Sequence, residues 1–296
     1  MALSNLGKRL IFVLWATPLG WWVVNSNLLL CPSSVAVIYP GHVAILFLIL
    51  MASFEYNRML SIRFPRNGFW LSYPALFSQF VLFLLRDPFP LNLSIYILLV
   101  VVAFEAFIFG RKSVQRRWMR ASLFFSGLAF LYIAGISMLN FYQEPFQSLF
   151  RKISSSSMLS QMGIVIVLAS IFMCDSGAYI VGSIWGRTHF SSISPKKTIE
   201  GSIGGLSSAV ITFSIGWYFL GATNLPLWLG VVLGLLIGIF AQIGDLLVSL
   251  MKRYFRVKDA SDIIPGHGGI LDRFDSVFFT APVISLSSWI IHRIFG

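Results

Sequence analysis

The sequence predicts an all-α, polytopic integral membrane protein with about nine transmembrane helices, a cytoplasmic N terminus and an external C terminus. Hydrophobic residues make up 57% of the 296 positions and charged residues only 11%, whereas soluble domains have about 25% charged residues. Runs of roughly 20 apolar residues, long enough to cross a bilayer, recur along the chain. They are predicted to be helices because backbone groups in hydrocarbon must pair within their own segment. The nine candidate spans are about 9–30, 36–60, 69–86, 91–109, 119–142, 159–186, 202–221, 226–251 and 274–295.

The spans are predicted to form one continuous membrane unit. Residues 1–150 hold about five N-terminal spans, and residues 151–296 hold about four spans that carry the candidate site, with cytoplasmic loops at 187–201 and 252–273. The first span has an alternative interpretation as a signal peptide, since two basic residues precede it. Its long apolar run and the lack of a small-residue cleavage site favour a retained helix.

The lysines and arginines predict the orientation of the spans. With the N terminus in the cytoplasm, 18 of the 22 cations fall in cytoplasmic segments, and the exceptions are Arg86, Arg151, Lys152 and Arg293. This asymmetry is the positive-inside signature. The net charge of +11 is therefore mostly a topological signal, and no nucleic-acid partner is predicted because no soluble domain carries a basic groove. A secondary role in holding anionic lipid headgroups is compatible with the same charges.

Two carboxylates fall inside predicted spans, Asp175 in the sixth and Asp245 in the eighth. A carboxylate at this depth is costly unless it faces the interior of the bundle and a partner, so a functional interpretation is favoured for both. Glu55 and Glu105 lie nearer the cytoplasmic ends of their spans. They have a structural interpretation as helix-end residues paired with a nearby cation, such as Glu55 with Arg58 at i, i+3.

The densest polar segment precedes and opens the ninth span. Asp245, Ser249 and Lys252 are spaced i, i+4, i+7, which predicts that they share one face of the eighth helix. Asp272 and Asp275 are spaced i, i+3 at the start of the ninth helix. Carboxylates that converge here would repel one another without a cation between them, and oxygen ligands favour a hard cation such as Mg²⁺. The candidate metal ligands are Asp175, Asp245, Asp272 and Asp275.

Two loops offer groups suited to phosphate. The turn Pro265–Gly269 allows close approach of backbone N–H groups to an anion, although a plain interhelical turn is the alternative. His267 within it is interpreted as a phosphate donor or a loop organiser, since no cysteine or second histidine accompanies it to bind zinc. The loop before the seventh span contains Ser194-Pro195-Lys196-Lys197-Thr198, whose ammonium and hydroxyl groups suit a triphosphate. Its alternative interpretation is a basic loop that follows the positive-inside rule.

The motifs also carry a family resemblance. The chain reads Ser249-x-x-Lys252-Arg253, then after four residues Lys258-Asp259-x-Ser261, then Pro265-Gly266-His267-Gly268-Gly269-Ile270-x-Asp272-Arg273-x-Asp275. This pattern resembles the signature of the phosphatidate cytidylyltransferase (CDP-diacylglycerol synthase) family. Asp175-Ser176-x-Ala178-Tyr179 and Ser194-Pro195-Lys196-Lys197-Thr198-x-Glu200-Gly201 look like upstream elements of the same family. The similarity covers about residues 160–282 and is only weak around Glu55.

The resemblance implies that CTP and phosphatidic acid react to CDP-diacylglycerol and pyrophosphate with Mg²⁺, while the need for a second cation stays open. It also implies a homodimer with its site at the cytoplasmic side of the membrane. The compactness of the chain favours the cell inner membrane of a bacterium over an organellar membrane. The candidate catalytic residues are Asp245, Asp272, Asp275, Lys252 and Arg273. The candidate substrate-binding residues are Ser194, Lys196, Lys197, Thr198, Glu200, Arg253, Lys258, Asp259, His267, Gly268 and Gly269.

Other classes fit the sequence less well. A transporter would more often show paired inverted halves, and no such symmetry is visible. A CTP-dependent lipid or polyprenol kinase is the closest enzymatic rival, because it shares the nucleotide and the membrane. A CDP-alcohol phosphotransferase would carry a run of closely spaced aspartates that this chain lacks, and a receptor role would leave the intramembrane acids unexplained.

Overall fold

A computed structural model describes six helices of this protein. The residues described are 31–32, 37–38, 40–63, 114–141, 146, 157–189, 197–219, 225–264 and 268–295. The helices are α1 (Pro40–Arg63), α2 (Val114–Asn140), α3 (Ser157–Trp185), α4 (Ile199–Phe219), α5 (Leu227–Tyr254) and α6 (Leu271–Phe295). One short antiparallel pair, β1 (Cys31–Pro32) with β2 (Val37–Ile38), precedes α1.

All six helices contain a stretch long and apolar enough to cross a membrane, and the chain is a multi-pass membrane protein. Each helix agrees within a few residues with one of the predicted spans. The predicted spans 9–30, 69–86 and 91–109 lie outside the described residues. The count of nine and the orientation therefore stay predictions.

The described residues belong to two compact units. The first contains α1, most of α2 and the segment Tyr254–Leu271; the second contains α3, α4, α5 as far as Arg253, and α6 from Asp272 onward. The predicted division near residue 150 stays a prediction.

In the first unit, α1 contacts both α2 and the segment Tyr254–Leu271. The Tyr56 hydroxyl donates a hydrogen bond to the Leu123 carbonyl oxygen at 2.6 Å, and its ring packs edge-on against Phe255. At the end of α1, the Arg63 guanidinium donates to the Tyr254 carbonyl oxygen at 2.7 Å and lies 4.0 Å from the Tyr254 ring centroid. These contacts attach the segment Tyr254–Leu271 to α1.

In the second unit, small residues let helices approach closely. Gly230, Gly234 and Gly238 repeat every four residues on the buried side of α5. A Cβ atom at residue 234 would lie only 2.8 Å from the Val210 Cα atom of α4. Close backbone approach through small residues is the usual way in which membrane helices pack. Many large apolar side chains of α3 and α4 remain exposed, Ile180 and Ile211 among them, as expected of a surface that faces lipid.

Candidate active site

Three aspartates from three helices of the second unit lie close together. Asp175 of α3 is within electrostatic range of Asp245 of α5, and Asp275 of α6 is within range of both. The backbone explains the proximity of α5 and α6: a Cβ atom at residue 244 would lie 2.8 Å from the Asp275 carbonyl oxygen. Asp245 is the residue directly after this close contact. Three of the predicted acids therefore influence one another electrostatically, while their convergence around a cation stays a prediction.

Lysines accompany these acids. The Lys252 ammonium group lies 2.6 Å from Asp272 Oδ1, and the two side chains are only 15% and 7% exposed. Lys197, from the loop before α4, pairs with Asp245 in a half-buried ion pair. Lys252 also acts electrostatically on Asp275, and Arg273 acts on Asp175. The site therefore contains both acidic and basic side chains. Neither the acids nor the bases all come from a single helix.

The predicted faces of α5 and α6 are consistent with these contacts. The Ser249 hydroxyl lies 3.5 Å from Asp245 Oδ1 one turn earlier, as the i, i+4 spacing requires. Asp275 is buried, and its Oδ1 accepts hydrogen bonds from the Ser276 N–H at 2.6 Å and the Ser276 hydroxyl at 3.2 Å. α5 continues to Tyr254, so Lys252 belongs to its last turn rather than to a loop.

The carboxylates have the right chemistry for a hard divalent cation, since they offer only oxygen ligands. Within the part of the chain that the structure describes, however, no three His, Cys, Asp or Glu side chains are arranged so that they could hold a metal ion. Asp245 and Asp272 each have a lysine at a carboxylate oxygen instead. The assignment of Asp175, Asp245, Asp272 and Asp275 as metal ligands stays a prediction.

Thr198 and Glu200 organise the start of α4. The Thr198 hydroxyl oxygen accepts the Gly201 N–H at 3.1 Å, which is the contact of a helix N-cap. The Glu200 carboxylate accepts the backbone N–H groups of Arg187 and Thr188 at 3.2 Å. Both side chains were predicted to bind substrate, and both have structural hydrogen bonds here. Ser194 and Lys196 of the same motif lie outside the described residues.

Removal of the Thr198 hydroxyl should destabilise the protein. Thr198→Ala leaves the Gly201 N–H without its acceptor, and N-cap losses of this kind cost about 1 kcal/mol. We expect a lower midpoint of thermal unfolding in detergent. Thr198→Ser is the matched control because it keeps the hydroxyl, and it should remain near the wild type. An equal fall in both variants would contradict the capping role.

The glycine-rich turn lies in the first unit. Gly268 has a positive φ of 81°, and its carbonyl oxygen accepts the Ile264 N–H at 3.0 Å, which closes the turn. Gly269 is buried, whereas Lys258 and Asp259 are exposed on the same segment. His267 lies outside the described residues, as do Pro265 and Gly266. In the second unit, Arg253 is exposed in the last turn of α5.

Glu55 has a role that differs from its helix-end interpretation. Its side chain is 0% exposed, whereas Arg58 is exposed. The carboxylate accepts hydrogen bonds from the Ser261 hydroxyl and from the N–H groups of Ile270 and Leu271. The pairing with Arg58 is therefore wrong. The available sequence signal was an acid within a predicted span, although Arg58 three residues further on favoured the simpler interpretation.

Gln242, which is not among the predicted site residues, joins three helices one turn before Asp245. Its amide nitrogen donates to the Ser202 carbonyl oxygen at 2.8 Å and approaches the Cys174 sulfur at 3.6 Å. The Ser202 hydroxyl donates to the Gln242 amide oxygen. This network ties α5 to α4 and α3 beside the acids. A lone glutamine in the apolar run of α5 was the available signal.

Six helices long and apolar enough to span a membrane, with a cluster of charged side chains on the C-terminal ones, define a polytopic membrane protein. Residues 19–291 match the Cytidylyltransferase family. The chain belongs to that family.

Individual relatives match a shorter part of the chain. This chain is 49% identical over 122 residues to the phosphatidate cytidylyltransferase of Synechocystis sp. (strain ATCC 27184 / PCC 6803 / Kazusa). The aligned residues are 40% of this chain and 41% of that protein. The phosphatidate cytidylyltransferases of Staphylococcus haemolyticus (strain JCSC1435) and Staphylococcus aureus (strain COL) are 45% and 44% identical over 117 residues, or 39% of this chain and 45% of each relative. The chain thus matches less than half the length of these curated relatives.

Proposed function

We propose that this protein is a Mg²⁺-dependent phosphatidate cytidylyltransferase that makes CDP-diacylglycerol and pyrophosphate from CTP and phosphatidic acid. The observation that carries the proposal is the cluster of Asp175, Asp245 and Asp275, accompanied by Lys197 and Lys252, within membrane helices of a cytidylyltransferase-family chain. The names of its relatives supply the substrates.

The reaction needs charge neutralisation more than proton transfer. A phosphatidate oxygen attacks the α-phosphorus of CTP, a new P–O bond forms, and the bond from that phosphorus to the bridging oxygen of the β-phosphate breaks. Pyrophosphate leaves with the bond electrons. The phosphatidate headgroup is already an anion, so no general base is required. Two anions must meet, and preorganised positive charge is the main contribution that the protein can make.

The charged residues have distinct proposed tasks. Lys197 and Lys252, which already lie at carboxylates, would neutralise the departing pyrophosphate together with Arg273. Lys196 and Arg253 would assist with the triphosphate and the lipid headgroup, and a part for Lys258, which belongs to the first unit, stays a prediction from the sequence. Mg²⁺ held by Asp245, Asp272 and Asp275, with Asp175 nearby, would offset negative charge on the phosphate oxygens.

The surroundings of Asp175 support access for a lipid. Asp175 is exposed although it lies in a membrane span, and a carboxylate that faced hydrocarbon directly would be costly. Tyr179, one turn further along α3, is 76% exposed, and Ile180 is 53% exposed. With the proposed Mg²⁺ between them, a phosphate headgroup near the acid and acyl chains along the neighbouring apolar surface would fit this arrangement. We place the site at the cytoplasmic face of the inner membrane, in a homodimer, on the basis of the charge distribution and the resemblance.

Pyrophosphate release in detergent tests the proposal. The purified protein should release pyrophosphate from CTP only when phosphatidic acid is present, and a divalent-cation chelator should stop the release. Label at the α-phosphate of CTP should enter the lipid. A CTP-dependent lipid kinase would instead transfer the γ-label and release CDP, which would contradict the proposal.

Loss of the Lys197 charge should weaken CTP use. For Lys197→Ala we expect the KM for CTP to rise about tenfold, equivalent to roughly 1.4 kcal/mol, because one ammonium group no longer meets the phosphates. Steady-state kinetics at saturating phosphatidic acid measure this effect. Lys197→Arg keeps the charge and should stay within a few-fold of the wild type. An unchanged KM in the alanine variant would remove Lys197 from the CTP site.

A further inference from the structure

Glu55 of α1 caps α6 from a distant part of the chain. Glu55 Oε1 accepts the Ile270 N–H at 2.8 Å, and Oε2 accepts the Leu271 N–H at 2.7 Å. The Ser261 hydroxyl donates to Oε1 as well. All of these groups are buried, with Glu55 at 0% exposure. A buried carboxylate with three donors is a specific arrangement rather than a surface contact.

Glu55 takes the place of an N-cap side chain, which the residue just before α6 does not provide. The first N–H groups of a helix have no acceptor within it, and a side chain at the N-cap position usually supplies one. α6 begins at Leu271, so the preceding residue is Ile270, which has no polar side chain. Glu55 supplies the acceptor instead, and its negative charge suits a helix N-terminus.

Gly269 makes room for this carboxylate. A Cβ atom at residue 269 would lie 2.6 Å and 2.7 Å from the two oxygens of Glu55. The three atoms nearest to that position all belong to the Glu55 carboxyl group. Because the two oxygens accept the N–H groups of Ile270 and Leu271, the carboxylate cannot move aside without losing its hydrogen bonds. Glycine is therefore required at position 269 because any larger residue would clash with the Glu55 carboxylate.

We propose that Glu55 is a positioning residue for cytidylyl transfer: it fixes the start of α6 and thereby the placement of Asp272. Asp272 is the residue next to Leu271 and has its carboxylate at Lys252. A shift of the first turn of α6 would move Asp272 directly through the chain, and errors of about 1 Å in a catalytic group can cost roughly a hundredfold in rate. The inference rests on the proposed function.

Glu55→Gln tests the inference with two measurements. The glutamine amide presents an NH₂ group where one oxygen now accepts an N–H, so the first turn of α6 should loosen. We expect kcat to fall about a hundredfold while the KM for CTP stays within threefold. Hydrogen exchange should accelerate in the peptide that contains Ile270 and Leu271. Arg58→Ala, an exposed change on the same helix, should alter neither quantity.

Gly269→Ala supplies a second variant that keeps the carboxylate but displaces it. It should show the same fall in kcat and the same faster exchange. In a Glu55→Ala background the added methyl group meets no carboxylate, so Gly269→Ala should have little further effect. Such non-additivity is the expected mark of two residues in direct contact.

The outcomes separate this inference from the proposed function. Wild-type kcat and exchange in folded Glu55→Gln would overturn the positioning role. A lower folded yield with an unchanged kcat per folded molecule would also overturn the positioning role, because Glu55 would then affect only the stability of the fold. If Glu55→Gln does not fold, Gly269→Ala decides by the same two measurements. If the wild type itself releases no pyrophosphate with phosphatidic acid, the proposed function fails, and unaltered exchange in the variants would still refute the cap.

Discussion

Asp272→Asn should lower turnover at least about a hundredfold while the protein remains folded and extractable. The substitution removes one negative charge from a site where Lys252 lies 2.6 Å away and both side chains are largely buried. Asparagine keeps a side-chain oxygen that can accept from the lysine, so folding should be retained with a reduced midpoint of thermal unfolding. The rate should fall because Asp272 is a proposed ligand of the Mg²⁺ that would offset the negative charge of the reacting phosphates.

Pyrophosphate release at saturating CTP and phosphatidic acid measures this effect, and thermal unfolding in the same detergent reports on the fold. Asp262→Asn is the matched control, since Asp262 is an exposed acid of the same polar segment. It should turn over at the wild-type rate. Near-normal turnover of Asp272→Asn would remove this aspartate from the active site.

Gly244→Val should be damaging for a different reason, because it separates two helix backbones. Any Cβ at residue 244 would lie 2.8 Å from the Asp275 carbonyl oxygen and 2.9 Å from Phe279 Cβ. A backbone oxygen within a helix cannot rotate away as a side chain can. We expect an overpacking cost of about 1–3 kcal/mol and a loss of turnover of roughly a hundredfold, because Asp245 moves away from Asp275.

Unfolding midpoints and turnover per folded molecule measure the two parts of this prediction. Ile243→Val is the matched control, since the adjacent residue is 38% exposed and the change is small. It should leave both quantities nearly unaltered. Full activity in Gly244→Val would mean that the close approach of α5 and α6 is not needed for the reaction.

The sequence predicted the features that depend on local pattern. Runs of apolar residues identified α1 to α6, because the length of a span is imposed by the bilayer. The i, i+4 relation of Asp245 and Ser249 followed from helical periodicity alone. The intramembrane position of Asp175 indicated a functional group because an unpartnered charge at that depth is costly.

What could not be predicted depends on contacts between distant segments. Glu55 and Leu271 are 216 positions apart, so nothing near Glu55 indicates its partners, and Arg58 was the nearest plausible but wrong one. Thr198 was ambiguous for another reason. A hydroxyl before a helix can cap it or bind a phosphate, and residue type does not separate the two.

The capping of α6 by α1 also bears on how the chain is made. The donors for Glu55 lie about 200 residues further on, and at roughly 5–20 residues per second the ribosome needs about 10–40 s to reach them. Throughout that interval the nascent N-terminal part carries an acid whose hydrogen-bond donors have not yet been synthesised. Premature termination before residue 261 would leave this acid permanently without them, so truncated products should be poorly tolerated by the membrane and prone to degradation.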